Sequence, residues 1–334
     1  MRIYQWHEIA HEFTDGLILG NGASIAFDSR FSYTSLRDRA VVQNLITPDV
    51  ELVFQHLEPA DFELVLRMLW HSNIINIALG VAEPRTSAAY KSVREALIAV
   101  VREIHVKFED VSERLGLAAS YISRFKTVAS LNYDLLLYWS ILAGNNADTT
   151  HQFKDGFVDA GRFRQDWASL RQCIPPRAST TIVVYPHGNL ALAADVAGAE
   201  CKLKAADAAL LETIFSKWES GECSPVFVSE GTTEQKLASI QRSPYLSTVY
   251  GEVLPSMNES VVLFGWSVAD NDLHILDAVC KGRVSRFAVA VDPTAKDIGV
   301  RQARIKHLLA ERSSASVQFF NRSSPGCWLI PSVK

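Results

Sequence analysis

The stretch "DGLILGNGASIAFDSRFSY", residues 15–33, carries the pattern that decides the predicted fold. A short apolar run at 17–19 leads directly into the small residues 20–24, and the next charged residue is Asp28. Glycine lets a backbone turn tightly and come close to another group, such as a phosphate. A buried strand followed at once by such a turn therefore predicts the first unit of a nucleotide-binding α/β fold.

Further apolar runs of strand length follow along the chain, at 127–131, 181–185, 225–229, 260–265, 286–292 and 316–320. Most are apolar throughout rather than alternating, as expected for strands covered on both faces. Segments with helical periodicity lie between them, at 205–220, at 234–254 with a break near Pro244, and at 271–282. This alternation predicts an α/β fold with a doubly wound, mostly parallel, Rossmann-like sheet of about six or seven strands.

One long interval lacks any convincing strand. Between residues 34 and 124 the sequence offers only helical stretches, such as 59–79 and 87–111. We therefore predict a helical module, 34–124, inserted after the first strand of a Rossmann-like core formed by 1–33 and 125–334. Such a module could form one wall of a ligand cleft.

Composition excludes several classes of protein. The chain has 334 residues, 48% of them hydrophobic and 21% charged, which is ordinary for a globular protein. Its formal net charge is -4 and it has no block of Lys and Arg, so a direct nucleic-acid partner is not expected. Without an apolar leader or an apolar run near membrane-spanning length, the sequence predicts a cytoplasmic protein with no membrane partner. The five cysteines contain no C-x-x-C pair, so no zinc or other metal site is expected.

The glycine turn after the first strand is the first candidate site. Gly20, Gly22, Ala23 and Ser24 could hold phosphate groups through their backbone and the start of the following helix. Ile25 stands where the dehydrogenase fingerprint needs a third glycine, and no G-K-[ST] sequence occurs, so neither a hydride-transfer domain nor a Walker loop is favoured. A tight turn without a ligand remains the alternative.

Two more strand ends carry polar residues. Asn132 and Asp134 follow the strand at 127–131, where the carboxyl ends of parallel strands line a ligand crevice, although either residue could simply cap the next helix. His187 follows the strand at 181–185 and precedes Gly188, and it is the favoured general base. A histidine with a purely structural role is the alternative there.

The last two predicted strand ends add further candidates. Gly265 and Ser267 follow the strand at 260–265, and the serine hydroxyl could donate to a phosphate or a ribose. Asp292 ends the strand at 286–292, where an acid could accept the hydroxyl groups of an adenosine ribose.

The order of these motifs resembles that of the sirtuin (silent information regulator) superfamily of NAD-consuming proteins. The family pattern is Gly-Ala-Gly-x-Ser, Thr-Gln-Asn-x-Asp, His-Gly and Gly-x-Ser, and the matching positions are 20–24, 130–134, 187–188 and 265–267. The resemblance covers about 16–31 and 125–321. Leu131 replaces the family's Gln, and the zinc ribbon of the deacylases is missing, so the chain is most similar to the zinc-less bacterial branch.

Several relatives in that branch are NAD glycohydrolases that deplete NAD during phage infection. The resemblance therefore implies NAD as substrate or ligand, cleavage to nicotinamide and ADP-ribose, and a role in antiviral defence. It also implies that Asn132 orients ribose hydroxyls and water, that Asp134 lies near the nicotinamide amide, and that His187 is the base. The implied cofactor-binding residues are Gly20, Gly22, Ala23, Ser24, Gly265, Ser267 and Asp292.

Three alternatives stay open at this point. The protein could be a non-catalytic sensor of NAD, ADP-ribose or a related nucleotide that signals to a second copy or a protein partner through the helical module. It could be a deacylase or an ADP-ribosyltransferase, which would need an acceptor groove between core and module. It could also be an unrelated doubly wound protein in which the motifs occur by chance.

Overall fold

A computed structural model describes residues 1–32, 35–57, 62–82, 84–158, 161–195, 197–205, 209–228 and 232–332. The strands in this part of the chain are β1 (Ile3–Tyr4), β2 (Gly16–Leu19), β3 (Thr127–Ser130), β4 (His151–Lys154), β5 (Phe157–Val158), β6 (Arg162–Phe163), β7 (Ser179–Val184), β8 (Gly188–Ala194), β9 (Glu200–Lys202), β10 (Ser224–Phe227), β11 (Ser260–Phe264), β12 (Arg286–Val291) and β13 (Ser316–Asn321). The helices are α1 (Trp6–Ile9), α2 (Asn21–Phe27), α3 (Leu36–Val42), α4 (Pro48–Leu57), α5 (Phe62–Leu79), α6 (Pro84–Ile104), α7 (Phe108–Ile122), α8 (Leu136–Ala147), α9 (Leu210–Ser220), α10 (Thr233–Arg242), α11 (Pro244–Thr248), α12 (Leu273–Cys280) and α13 (Ile298–Ala310).

The centre of the molecule is an eight-stranded sheet in which every strand pair is parallel. Its strand order is β1-β13-β12-β11-β2-β3-β7-β4. The prediction of a doubly wound α/β fold with a Rossmann-like sheet is confirmed. Six of the seven predicted strands lie in this sheet, and its two further strands, β1 and β4, are its edges. β1 has only two residues, and the residues of β4 alternate between buried and half-buried. Neither strand therefore has the continuous apolar run of a central strand.

A second, antiparallel sheet has the order β10-β8-β9-β6-β5. The predicted strand at 225–229 belongs here as β10 and not to the parallel sheet, and Ser229 lies outside the described residues. Because β10 and β8 are mostly buried, their apolar sequences look like those of parallel strands. The expectation that the second half of the chain simply continues the parallel sheet is therefore wrong for β10.

The segment between β2 and β3 is helical, as predicted. It contains α2 to α7, and the described part of it has no strand. Helices α5 and α6 pack on each other, and α7 packs on α8, which follows β3. The predicted first residue of the module, Thr34, and the start of the helical stretch 59–79 lie outside the described residues. No helix in the described ranges is long and apolar enough to cross a membrane.

The order of the strands defines where a ligand can bind. Strand β2 is central; the next strand of the sheet along the chain, β3, lies on one side of it, and β11 lies on the other. Parallel sheets bind ligands outside the carboxyl ends of the strands at such a reversal of strand order. The switch point of this sheet is therefore the edge beyond Leu19 and Phe264, the last residues of β2 and β11.

Candidate functional site

A cavity of about 840 Å³ lies at this switch point. Its walls come from the carboxyl ends of β2, β3, β11, β12 and β13, and from α13. The volume is within the range of small-molecule and cofactor sites. Six of the ten predicted site residues line it, and they are Gly20, Gly22, Asn132, Gly265, Ser267 and Asp292.

The glycines at the floor of the cavity bring two loops into backbone contact. The Gly20 N–H donates to the Phe264 carbonyl at 3.0 Å, and the Gly22 N–H donates to the Gly265 carbonyl at 2.8 Å. Gly265 has a φ of +67°, and a Cβ there would lie 2.4 Å from the Ala23 nitrogen. The expectation that the Gly20 and Gly22 amides hold a pyrophosphate is therefore corrected, because the first is already bonded to the end of β11 and the second to the loop after it. The glycines shape the cavity instead.

Asn132 connects the end of β3 to the glycine turn. Its Nδ2 donates to the Gly20 carbonyl at 3.0 Å and to Ser24 Oγ at 2.7 Å. In the described part of the chain no hydrogen bond to Asn132 Oδ1 is found. Since Asn132 lines the cavity, this oxygen is the part of the amide that remains for a ligand.

Asp134, Ser24 and Ala23 lie beneath the cavity wall rather than on it. All three are buried, and Ser24 Oγ donates to Asp134 Oδ2 at 2.5 Å. The N–H of Leu136, the first residue of α8, donates to Asp134 Oδ1 at 2.9 Å. The structure does not place Asp134 on the cavity wall, where the sequence predicts contact with a ligand; its carboxylate binds the first backbone N–H of the next helix instead.

Burial gives Asp134 an unusual titration, which can be tested. Burial raises its pKa to about 6, above the ordinary value of 3.8, although the hydrogen bonds from Ser24 and Leu136 oppose the shift. The folded state therefore binds this proton more tightly than the unfolded state, so the group's contribution to stability is full below pH 3.8 and is lost as pH rises through about 6.

The variant Asp134→Asn keeps the shape of the side chain without the titration. Wild type loses stability as pH rises through about 6 and the variant does not. The difference in free energy of unfolding, variant minus wild type, is therefore expected to grow by about 2 kcal/mol from about pH 4.5 to pH 7.5, at about 1.4 kcal/mol per pKa unit. Urea unfolding of both proteins at several pH values measures this difference. A difference that does not change with pH would contradict the assignment.

His187 lies in the short link between β7 and β8, and it does not line the cavity. Its side chain is 4% exposed, and its Nε2 lies 3.0 Å from Nε2 of His274 on α12. Burial lowers its pKa to about 3, so the ring is neutral at neutral pH. The chain turns here because Gly188 has a φ of +78° and lies against the Val226 carbonyl of the second sheet. The prediction that His187 faces a bound substrate as its base is corrected, since the ring faces α12.

Asp292 and Ser267 line the cavity, with arginines beside them. Asp292 accepts from Arg322 Nη2 at 2.7 Å through one oxygen and from Thr294 through the other. Arg304 donates to the Ser267 and Val268 carbonyls and to Asp270. Asp292 thus lies on the cavity wall, but both of its oxygens already have donors.

Several residues of the cavity were not found from the sequence. They are Trp266, Asp272, Arg301, Arg304, Arg322 and Trp328. Arg322 follows the predicted strand 316–320 by two positions, which was an available signal. Trp328, whose Nε1 donates to the Ala23 carbonyl at 3.0 Å, lies in a terminal segment without periodicity.

Backbone strain occurs at the same place. Val268 has a φ of +53° and Trp328 a φ of +49°, a region that side chains other than glycine rarely adopt. Strain of this kind concentrates at ligand sites, where the surrounding structure enforces it. Arg304 Nη1 donates to the Val268 carbonyl at 2.7 Å and so helps to hold the loop after β11 in this conformation.

The sheet and the cavity define a parallel α/β protein with a cavity at its topological switch point. The chain belongs to the family described as a domain of unknown function, DUF4917, whose model matches residues 17–328. That span includes every described wall residue of the cavity except Leu329 and Ile330. No curated protein matches the chain. Among the described residues, no group of three or more His, Cys, Asp or Glu side chains could hold a metal ion.

Proposed function

We propose that the cavity binds NAD or a closely related dinucleotide and that the protein cleaves the bond between nicotinamide and ribose. The observation that carries this proposal is the convergence of Gly20, Asn132 and Ser267, from three different strand ends, on one cavity of cofactor size. The matching motif order of the zinc-less sirtuin-like proteins supports NAD as the dinucleotide. NAD depletion in antiviral defence is the biological role that this resemblance implies.

The charge of the cavity suits a diphosphate. Three guanidinium groups and two carboxylates are found among its described wall residues. Each guanidinium also pairs with an aspartate, Arg301 with Asp297, Arg304 with Asp270 and Arg322 with Asp292. Arginine presents five N–H donors in a planar fork that matches phosphate oxygens. Arg304 donates N–H groups to the Ser267 and Val268 carbonyls and to Asp270. Its remaining N–H groups and the Ser267 hydroxyl are available to the ligand. The largely buried rings of Trp266 and Trp328 add apolar surface to the wall, as a site for nucleotide bases requires.

Cleavage passes through a ribose with oxocarbenium character. The bond between C1′ and the pyridinium nitrogen breaks, its electron pair stays on the nitrogen, and water adds to C1′. Asn132 Oδ1 would accept from a ribose hydroxyl or from this water and so fix its position. Asp134 and His187 act as positioning residues in this scheme: Asp134 holds Ser24, and His187 contacts the Leu131 backbone next to Asn132.

Incubation of the purified protein with NAD tests the proposal. We expect nicotinamide and ADP-ribose to form in equal amounts, as followed by chromatography, and calorimetry should show binding of ADP-ribose. A protein that neither binds nor cleaves NAD would contradict the proposal.

The second candidate function is a nucleotide sensor without catalysis. It is favoured by the burial of His187 and Asp134, two of the three residues predicted to be catalytic, away from the cavity wall. Binding of NAD without release of nicotinamide would support the sensor over the hydrolase. Transfer onto a protein has less support, because the groove of about 530 Å³ between α5 and β10 shares no described lining residue with the cavity.

A further inference from the structure

Asp272 is a carboxylate of the cavity wall that is not among the predicted site residues. It ends the 3₁₀ turn Asp270–Asp272, which lies between the loop after β11 and the start of α12. Its side chain is 19% exposed, and it lines the cavity together with Asn132 and Ser267. The other carboxylate among the described wall residues, Asp292, has both oxygens occupied by donors. Asp272 is therefore the wall carboxylate with an oxygen left for a ligand.

A buried lysine holds this carboxylate in place. Lys236, on α10, has a side chain that is only 4% exposed, and its Nζ lies 2.7 Å from Asp272 Oδ1. In the described part of the chain no hydrogen bond to Asp272 Oδ2 is found. Burial by itself would raise the pKa of Asp272, but the charges that His187, Lys236 and His274 carry in the acid range lower it below its ordinary value, so the carboxylate is ionised at neutral pH.

The histidine pair completes a buried polar cluster, which we define as Lys236, Asp272, His274 and His187. Burial lowers the pKa of His187 to about 3 and that of His274 to about 4, so both rings are neutral. One ring N–H must then donate to the nitrogen of the other ring across 3.0 Å. Of these four described residues, Asp272 alone lines the cavity. The cluster thus meets the ligand site through a carboxylate and not through an imidazole.

We propose that Asp272 is a catalytic residue that contacts the reacting ribose and stabilises the positive charge that develops there. This inference rests on the proposed cleavage of NAD. As the bond from C1′ to nitrogen breaks, nicotinamide leaves as the neutral base and the ribose ring carries the positive charge. A fixed carboxylate at that point lowers the energy of the transition state. Water then adds to C1′, and its proton passes to Asp272 and from there to bulk water, which restores the carboxylate.

The variant Asp272→Asn tests the role with little change of shape. We expect the rate of nicotinamide release at saturating NAD to fall by about 100-fold, which is typical for loss of such a group, while the dissociation constant of NAD changes by less than about threefold. Asp277→Asn is the matched control. Asp277 is on α12, pairs with Arg312 at 2.6 Å and does not line the cavity, so this variant should release nicotinamide at the wild-type rate.

A double variant separates catalysis from stability. Asp272→Asn leaves the buried Lys236 charged and unpaired, which should lower the melting temperature. In Asp272→Asn/Lys236→Met both charges are gone, so the melting temperature should recover while nicotinamide release stays about 100-fold slow. Recovery of the rate together with the melting temperature would show that Asp272 is structural and would overturn the inference.

The remaining outcomes distinguish this inference from the proposed function. If the wild type releases nicotinamide and Asp272→Asn keeps more than a third of its rate, only the role of Asp272 is overturned. If the wild type releases no nicotinamide, the cleavage proposal fails and the role of Asp272 fails with it.

Discussion

Replacement of Gly265 by alanine is expected to destabilise the protein strongly. The residue has a φ of +67°, and its Cβ would lie 2.4 Å from the Ala23 nitrogen and 2.7 Å from the Gly22 carbonyl carbon. These are backbone atoms, so no side chain can move aside to make room. The loops after β2 and β11 would have to separate and break the hydrogen bond from the Gly22 N–H to the Gly265 carbonyl.

We expect Gly265→Ala to cost at least about 3 kcal/mol, because it combines strain at a positive φ with a backbone clash. Thermal unfolding followed by circular dichroism measures this as a fall of at least about 5 °C in the melting temperature. Gly116→Ala is the control: this glycine is exposed on α7, and a Cβ there would meet nothing within 4 Å. Alanine in a helix interior should stabilise by about 0.5–1 kcal/mol. A melting temperature of Gly265→Ala equal to that of wild type would refute this account of the two loops.

Asn132→Ala should have the largest effect on activity. The substitution removes Oδ1, the oxygen available to a ribose hydroxyl or water, and it also removes the Nδ2 donor that fixes the Gly20 carbonyl and Ser24. Loss of a single group that orients the reacting atoms typically costs about 100- to 1000-fold in rate, and we expect the upper end because both functions are lost. Nicotinamide release at saturating NAD is the measurement.

A matched amide controls for the structural part of this effect. Asn145 is also half-buried, and its side chain bonds to the backbone of Phe153 on β4, away from the cavity. Asn145→Ala should therefore destabilise the protein without slowing nicotinamide release from the folded enzyme. An Asn132→Ala variant that is as active as Asn145→Ala would remove Asn132 from the mechanism.

The parallel sheet could be predicted because its central strands have no solvent-exposed face. Leu17, Ile18 and Leu19 are fully buried, as are the residues of β11, so both sequences are apolar without alternation. The same property misled the prediction for β10, whose buried residues pair antiparallel with β8. Burial on both faces is visible in a sequence, whereas the direction of the neighbouring strand is set by tertiary packing.

The candidate site was predictable at the level of strand ends but not of side-chain direction. A residue's position after a strand placed Asn132 and Ser267 on the cavity wall, as expected. His187 also follows a strand, yet the turn at Gly188 directs the chain into the second sheet and the ring toward His274. A residue that directly follows a strand can be placed at the sheet edge from the sequence. The direction of its side chain depends on the backbone conformation of the residues after it.

The arginines of α13 show a further limit. Arg301 and Arg304 are three positions apart, so a helix places them on one face. Nothing in the sequence states that this face, and not the opposite one, borders the cavity. The answer depends on how α13, which connects β12 to β13, packs against the sheet. This packing is determined by the whole fold and not by the local sequence.

A crystal structure of the protein grown with saturating NAD tests the central claim most directly. The account predicts NAD, or its product ADP-ribose, in the switch-point cavity, with the diphosphate beside Ser267 and the glycine turn and a ribose hydroxyl or a water within hydrogen-bond distance of Asn132 Oδ1. A nucleotide bound elsewhere on the protein, and not in the cavity beyond the ends of β2 and β11, would contradict the account.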